Sequence, residues 1–473
     1  MSSSPISRRD IFRGGLAAAA GAALAGCAQI SPRISPAHAA AKLPVPPNGK
    51  VNPDVRLLNR FAFGPSQADL DSVSAKGTEG WLESQLRAQE DEDWGFLLQL
   101  RRLDALENEA YEARNFPHED VLRQLQMAAL LRCTYSRNQL FERMVEFWSD
   151  HFNIYGRKGL AAYRLSADGR DVIRAHALGN FSDMLMASAK SPAMLMYLDN
   201  HFNQNGAPNE NYAREIMELH TLGVDGGYTQ KDVMEVSRCF SGWGLETGFL
   251  RRKGTFKFNP ERHDTGTKRV LGRYFPPNQG VKDGEEMVRM LAVHPATARH
   301  LSRKACMRFL GHRSPTVEKA MAAAFLKSNG SIRDWMRPLL FSSEVITAPA
   351  VYKRPVDLIV SSLRGTGAQT DGGAGLQERL RDMGQPLYQW PMPDGYPDDN
   401  DAWNSNILAR WNFALDLAEG RISGTVINWA NCDAKAALLG VDYEMPPLAP
   451  GEKARSPKHT AALCLMAPDF QWK

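Results

Sequence analysis

Four groups of residues in this chain have the types and spacing for chemistry. In the segment NENYAREIMELHTLG, from Asn209 to Gly223, Glu215, Glu218 and His220 are metal-liganding types within two turns of a helix. At 100° per residue Asn211, Glu215, Glu218 and Leu222 fall within about 60° of one another, whereas His220 lies about 140° from Glu215 and about 160° from Glu218. Glu215 and Glu218 can therefore share a site, while His220 joins Tyr212, Ile216 and Met217 on the apolar side. The competing reading is an ion-pair ladder of Glu210, Arg214 and Glu218, with His220 as a satisfied core histidine. Glu215 has no basic residue at i±3 or i±4, so a buried Glu215 needs a partner from another segment: a bound cation, Lys268, His151 or His263.

The second group is FWSDHFNIYGRKG, from Phe147 to Gly159, where Trp148 and His151 stand one turn apart at the end of a helix. His151 there is a base, a ligand, or a histidine packed on an aromatic ring and favoured as a cation by the helix C-terminus. In the third, FNPERHDTGTKRVLG, His263, Asp264 and Lys268 fall in a loop with Pro260 and Gly266. His beside Asp offers a base or ligand and Lys268 an anion holder, against a purely structural turn. The fourth is QPLYQWPMPDGYPDDN, from Gln385 to Asn400, with Trp403 just beyond it. Trp390, Asp394, Tyr396 and Trp403 make the stacked-aromatic and carboxylate surface that binds sugars or peptides, or else a lid that packs its own aromatics.

The elements that must position these groups are helices. In Arg137 to Phe152, Leu140, Met144, Phe147, Trp148 and His151 line one side while Glu142, Glu146 and Asp150 step down another. The same period runs through Glu119 to Arg132, Asn209 to Leu222, Lys231 to Trp243, Glu285 to Leu291, Thr297 to Leu310, Ser314 to Leu326, Pro355 to Leu363 and Trp403 to Leu417. Gly punctuation and alternation from Gly244 to Phe258 predict a small β-hairpin. The Gln385 to Asn400 stretch is too rich in Pro for helix and too aromatic for a solvated linker, so it packs over something.

The N-terminus carries a different kind of information. Arg8 and Arg9 precede GGLAAAAGAALAG, an uncharged stretch of signal-peptide length and too short to span a bilayer, which reads as a twin-arginine export signal. Leu24, Ala25, Gly26 and Cys27 form a lipoprotein box, and Ala37, His38, Ala39 an alternative cleavage site. Residues 28 to 50, with five prolines between Pro32 and Pro47, read as an extended tether, so folding begins near Val51.

Of the 473 residues enough then remain for one large domain or two intimate ones, and 43% hydrophobic content supports a real core. A net charge of +4 without a basic run argues against nucleic acid as a partner. After the signal no stretch of about 18 apolar residues occurs, which leaves a lipid on Cys27 as the expected membrane contact. The six cysteines include no close pair, so neither a zinc knuckle nor a dense disulfide framework is indicated.

From VRLLNRFAFGPS at Val55 through NENYAREIMELHTLG, YTQKDVMEVSRCFSGW, HDTGTKRVLG, HPATARHLSRK, KRPVDLIVSSLR, WPMPDGYPDD and RWNFA to APDFQW, the chain resembles the bacterial family known as domain of unknown function 1800. The resemblance implies an exported protein, with an exported sulfatase-like protein encoded nearby as a partner, and supplies no mechanism. One departure stands in WSDHF, where the resemblance leads one to expect Asn in place of Asp150, putting an exposed carboxylate before His151.

Together these readings predict a mainly α, large multi-helix single domain over residues 51–473, with a small β-hairpin and a long Pro- and aromatic-rich loop. The expected function is that of an extracytoplasmic envelope protein. In the enzyme reading a cleft gathers His151, Glu215, His263, Asp264 and Lys268, with a divalent metal ion on Glu215, Glu218, His151 and His263, for hydrolysis or oxidation of an envelope polymer. In the alternative reading the protein binds or assembles without catalysis, and the insert grips a glycan or a partner.

Overall fold

A computed structural model describes residues 52–87, 94–106, 113–247, 254–403, 406–440, 443–445 and 455–473. The expected export signal, Cys27, the expected tether and the 248–253 tip of the expected hairpin lie outside them. The fold is mainly α, and the three small sheets among the described residues are each a two-stranded antiparallel pair. Among the described residues no helix is long and apolar enough to cross a membrane. Cys133, Cys239, Cys306, Cys432 and Cys464 are free thiols.

The periodic segments form helices at His118–Tyr135, Gln139–His151, Glu210–Glu218, Gln230–Cys239, Val281–Ala292, Pro295–Leu310, Pro315–Lys327, Pro355–Thr366 and Ile407–Glu419. Their starts are written locally. Thr229 and Asp232 make a reciprocal capping box, and Ser314 caps a helix whose first residue is Pro315. Trp243–Leu245 pairs with Phe256–Phe258, the predicted hairpin.

Other elements were not legible from periodicity. Phe181–Lys190 and Pro192–Tyr197 are helices too short or too rich in small residues to show a clean stripe, and in Ile332–Leu340, whose buried Ile332, Trp335, Met336, Leu339 and Leu340 do line one face, Pro338 argues against helix. Lys268 stands not in a loop but on a strand, Lys268–Val270, paired with Arg273–Phe275. Leu271 at φ +50° and Gly272 at φ +80° make that two-residue turn, for which "LG" between apolar runs was the available signal.

The largest core packs Phe147, Trp148, Phe181, Phe309 and Trp335 at ring separations between 4.9 and 6.2 Å. A second core surrounds the wholly buried Pro355–Thr366 helix. The His118–Tyr135 helix gives Val121 and Leu125 to the first and Leu130 to the second, which joins them. Against this body lies the 385–400 insert as irregular chain.

Candidate functional site

The Gln139–His151 helix ends where the insert crosses it, and the crossing is fastened by backbone. Gly156 donates to the Tyr388 carbonyl at 2.8 Å, and Asn153 Nδ2 donates to those of Trp390 and Met392 at 3.0 and 2.6 Å. The Tyr197 hydroxyl donates to the Pro391 carbonyl at 2.9 Å. Beneath the crossing runs a buried ion network. Arg308 donates to Glu146 and Asp150 at 2.8 Å each and also holds Asp398 of the insert. Arg354 reaches Asp150 at 2.7 Å. Asp150 is thus not the exposed carboxylate expected from the sequence: two guanidiniums enclose it with charge-assisted hydrogen bonds.

His151 follows Asp150 and turns into the core, fully buried. Its Nε2 lies 3.1 Å from the His220 carbonyl oxygen, and Lys304 Nζ lies 3.1 Å from its Nδ1. A carbonyl can only accept, so the ring carries its proton on Nε2 and accepts from the lysine on Nδ1. Burial, and then the Lys304 charge, hold His151 well below the ordinary histidine range, and it is neutral rather than a helix-capping cation. Its ring centroid is 5.9 Å from that of His220 and 6.4 Å from that of His300. Burial lowers both of those rings to about 3. Sequence reasoning missed His300 and Lys304, although their four-residue spacing in HPATARHLSRK puts them on one helix face.

Glu215 lies on the helix that leads into His220 of this histidine trio. The expected helix to Leu222 stops at Glu218, where the His220 and Leu222 amides bond back five residues, at 3.1 and 2.8 Å, to Glu215 and Met217. Gly223 at φ +81° closes the turn, with a Cβ there barred by the His300 ring. His220 is buried on the apolar side, as the helical arithmetic required. Arg214 pairs with Glu210 at 3.3 Å and with Gln230 at 2.9 Å, while Glu218 bonds Tyr228. Glu215 is half-buried, and burial, with the charges of Glu218 and of Asp394 on the insert, pushes its carboxyl up to about 7. Burial, Asp394 and Glu215 raise the Tyr197 phenol as well. The charges that act on Glu215 are those of Glu218, Arg214 and Asp394, and neither Asp394 nor Tyr197, whose phenol it raises, was among the partners expected for it.

The third group forms a separate cluster. His263 Nδ1 lies 2.8 Å from the Ser241 carbonyl oxygen and its Nε2 3.0 Å from Asp283 Oδ2. Lys268 donates to Asp283 at 2.7 Å and to the carbonyls of Asp264 and Gly266 at 2.6 and 3.0 Å. The Arg238 guanidinium, at 2.9 and 3.0 Å, holds the Asp264 carboxyl below its usual range. These contacts fasten the 268–275 hairpin to the Gln230–Cys239 and Val281–Ala292 helices.

Among the described residues no group of three or more His, Cys, Asp or Glu side chains is arranged to hold a metal ion. His151, Glu215, Glu218 and His263 therefore do not form the common ligand set expected of them. Tyr396 of the insert and Trp403 just beyond it are buried with Tyr352 and Trp472 in a small cluster of their own. Trp390 packs on Tyr396 at 5.0 Å and donates to Asp394 at 3.0 Å. Trp390 and Asp394 thus lie at the surface edge, and Asp394 is exposed.

A family model described as Protein of unknown function (DUF1800) matches residues 56–472. No curated protein matches the chain, and no solved structure does.

Proposed function

The chain belongs to the family described as Protein of unknown function (DUF1800), and from that premise we propose that it is an exported cell-envelope hydrolase that cleaves a glycan-type polymer by acid–base chemistry at Glu215 and Asp394. One observation carries the reading: Glu215 is half-buried, and its carboxyl, raised by burial and the Glu218 charge, also feels the charge of Asp394, an exposed aspartate of the distant insert. Two carboxyl groups in unlike surroundings are what glycoside hydrolysis uses. Glu215 gives its proton to the departing oxygen, Asp394 takes one from the attacking water, and the glycosidic bond is replaced by two hydroxyl groups. Trp390 supplies a ring for a sugar to stack on.

Export rests on Arg8 and Arg9 ahead of the apolar stretch, and lipidation on Cys27. Arg8→Lys with Arg9→Lys retains the protein in the cytoplasm, and Cys27→Ser releases it from the membrane. An exported sulfatase-like protein is a fitting partner for an enzyme of polysaccharides.

The test is release of reducing ends from isolated envelope polysaccharide. Glu215→Gln and Asp394→Asn each abolish turnover while binding persists; full activity in both variants overturns the reading. The alternative, a protein that binds or assembles without turnover, draws on the insert's self-packed aromatics, which make it a fixed platform. Polysaccharide bound by wild type but never cleaved decides for it.

A further inference from the structure

A cavity of about 230 Å³ lies between the His118–Tyr135 and Gln139–His151 helices, the Ala162–Arg174 segment and the start of the insert. It is separate from the Glu215 and Asp394 pair, and its occupancy does not depend on the function proposed above. Leu125, Val145, Phe152, Leu165 and Ile173 give it an apolar body. Its carboxylates are matched. Glu142 receives both amino groups of Arg174 at 2.7 and 2.8 Å, Glu146 and Asp150 belong to Arg308 and Arg354, and Asp168 accepts from the Ser191 hydroxyl at 2.5 Å. Arg170 faces Asp171.

Arg132 is the exception. It lines the cavity half-buried, and among the described residues its guanidinium has no hydrogen bond or ion pair. Tyr388 also lines the cavity, and among the described residues its hydroxyl has no hydrogen-bond partner; the charges of Arg174, Glu142 and Tyr388 all act on Arg132. Tyr388 is held at φ +60°, a backbone conformation costly for an aromatic residue and typical of positions kept for a ligand. A planar fork of donors beside a phenol is a carboxylate cradle.

We infer that this cavity binds a small amphipathic monocarboxylate, its carboxylate on Arg132 and Tyr388 and its hydrocarbon among the leucines. An apolar cavity of about 150 Å³ takes up benzene, so this one has room for about ten non-hydrogen atoms. Octanoate is of that size, and 1-octanol is its uncharged counterpart.

Calorimetric titration of the mature protein with both compounds tests the assignment. Octanoate binds at least tenfold more tightly than 1-octanol, and Arg132→Gln removes that preference while leaving 1-octanol binding unchanged. Tyr388→Phe, which keeps the ring, weakens octanoate severalfold and serves if Arg132→Gln does not fold. Ala129→Leu, which fills the cavity, abolishes binding of both. Octanoate binding that is absent in wild type, equal to that of 1-octanol, or indifferent to the variant measured overturns the inference. Binding of inorganic phosphate in place of octanoate overturns it too.

Discussion

Gly395 of the insert lies directly on the carbonyl oxygen of Asp150, so close that a Cβ built on the glycine would overlap that oxygen. The glycine is also at φ +77°, which an L side chain rarely adopts. One contact therefore sets the height of the insert above the helix end that carries Asp150 and His151. Gly395→Ala is expected to lift the insert, at a cost of about 3 kcal/mol or more from overlap and backbone strain together. Limited proteolysis within residues 385–400 and the unfolding midpoint report it. An unchanged midpoint with a protected insert means that the contact relaxes freely.

Glu215 gives stability a pH dependence of definite sign. With its carboxyl raised to about 7 in the fold against 4.5 unfolded, the folded chain keeps a proton that the unfolded chain has released between those values. Stability therefore falls as pH rises through that window, by about 1–2 kcal/mol after allowance for solvent screening of a half-buried group. Glu215→Gln removes this loss, so the variant gains on wild type between pH 4 and pH 8 in denaturant unfolding. Parallel curves would show Glu215 to be an ordinary surface carboxylate.

The histidine trio acts in the opposite direction. Below the ordinary value of 6.5 the unfolded chain takes up protons on His151, His220 and His300 that the folded chain refuses. Stability falls as pH drops, by about 2 kcal/mol for each fully buried ring at pH 5. Unfolding midpoints from pH 8 to pH 5 should fall steeply for wild type and less so for His220→Asn. Equal slopes would mean that water reaches the rings.

Asp283 is the buried carboxyl group between His263 and Lys268, both of which are also buried. Asp283→Asn leaves the Lys268 ammonium with carbonyl partners and the more distant Asp264 carboxylate at 3.9 Å, and breaking such a buried pair costs about 3–5 kcal/mol. Asp264→Asn, at a more exposed pair, should cost about 1 kcal/mol or less. Chemical denaturation of the two variants side by side measures the difference. Equal effects would count against His263–Asp283–Lys268 as the fastening of the hairpin.

The sequence by itself determined the helical class, because apolar residues at a 3.6-residue period commit a segment to one face against a core. It determined the hairpin at Trp243–Phe258, where glycines and alternation are local signals, and the side of the helix on which His220 lies. It also showed that the WPMPDGYPDD segment had to pack on something, since chain that aromatic is costly to leave in water. Only the tertiary structure decided who meets whom. Asp150 bonds Arg354 across 204 residues, and His151 meets Lys304 across 153, at separations where no periodicity constrains pairing. Nothing near Glu215 in the chain announces Asp394, and nothing near His263 announces Asp283, 20 residues on. A charged side chain of unstated destination reads the same whether it faces water, a buried arginine or a ligand, because its energy is set by the dielectric and the charges that folding brings around it.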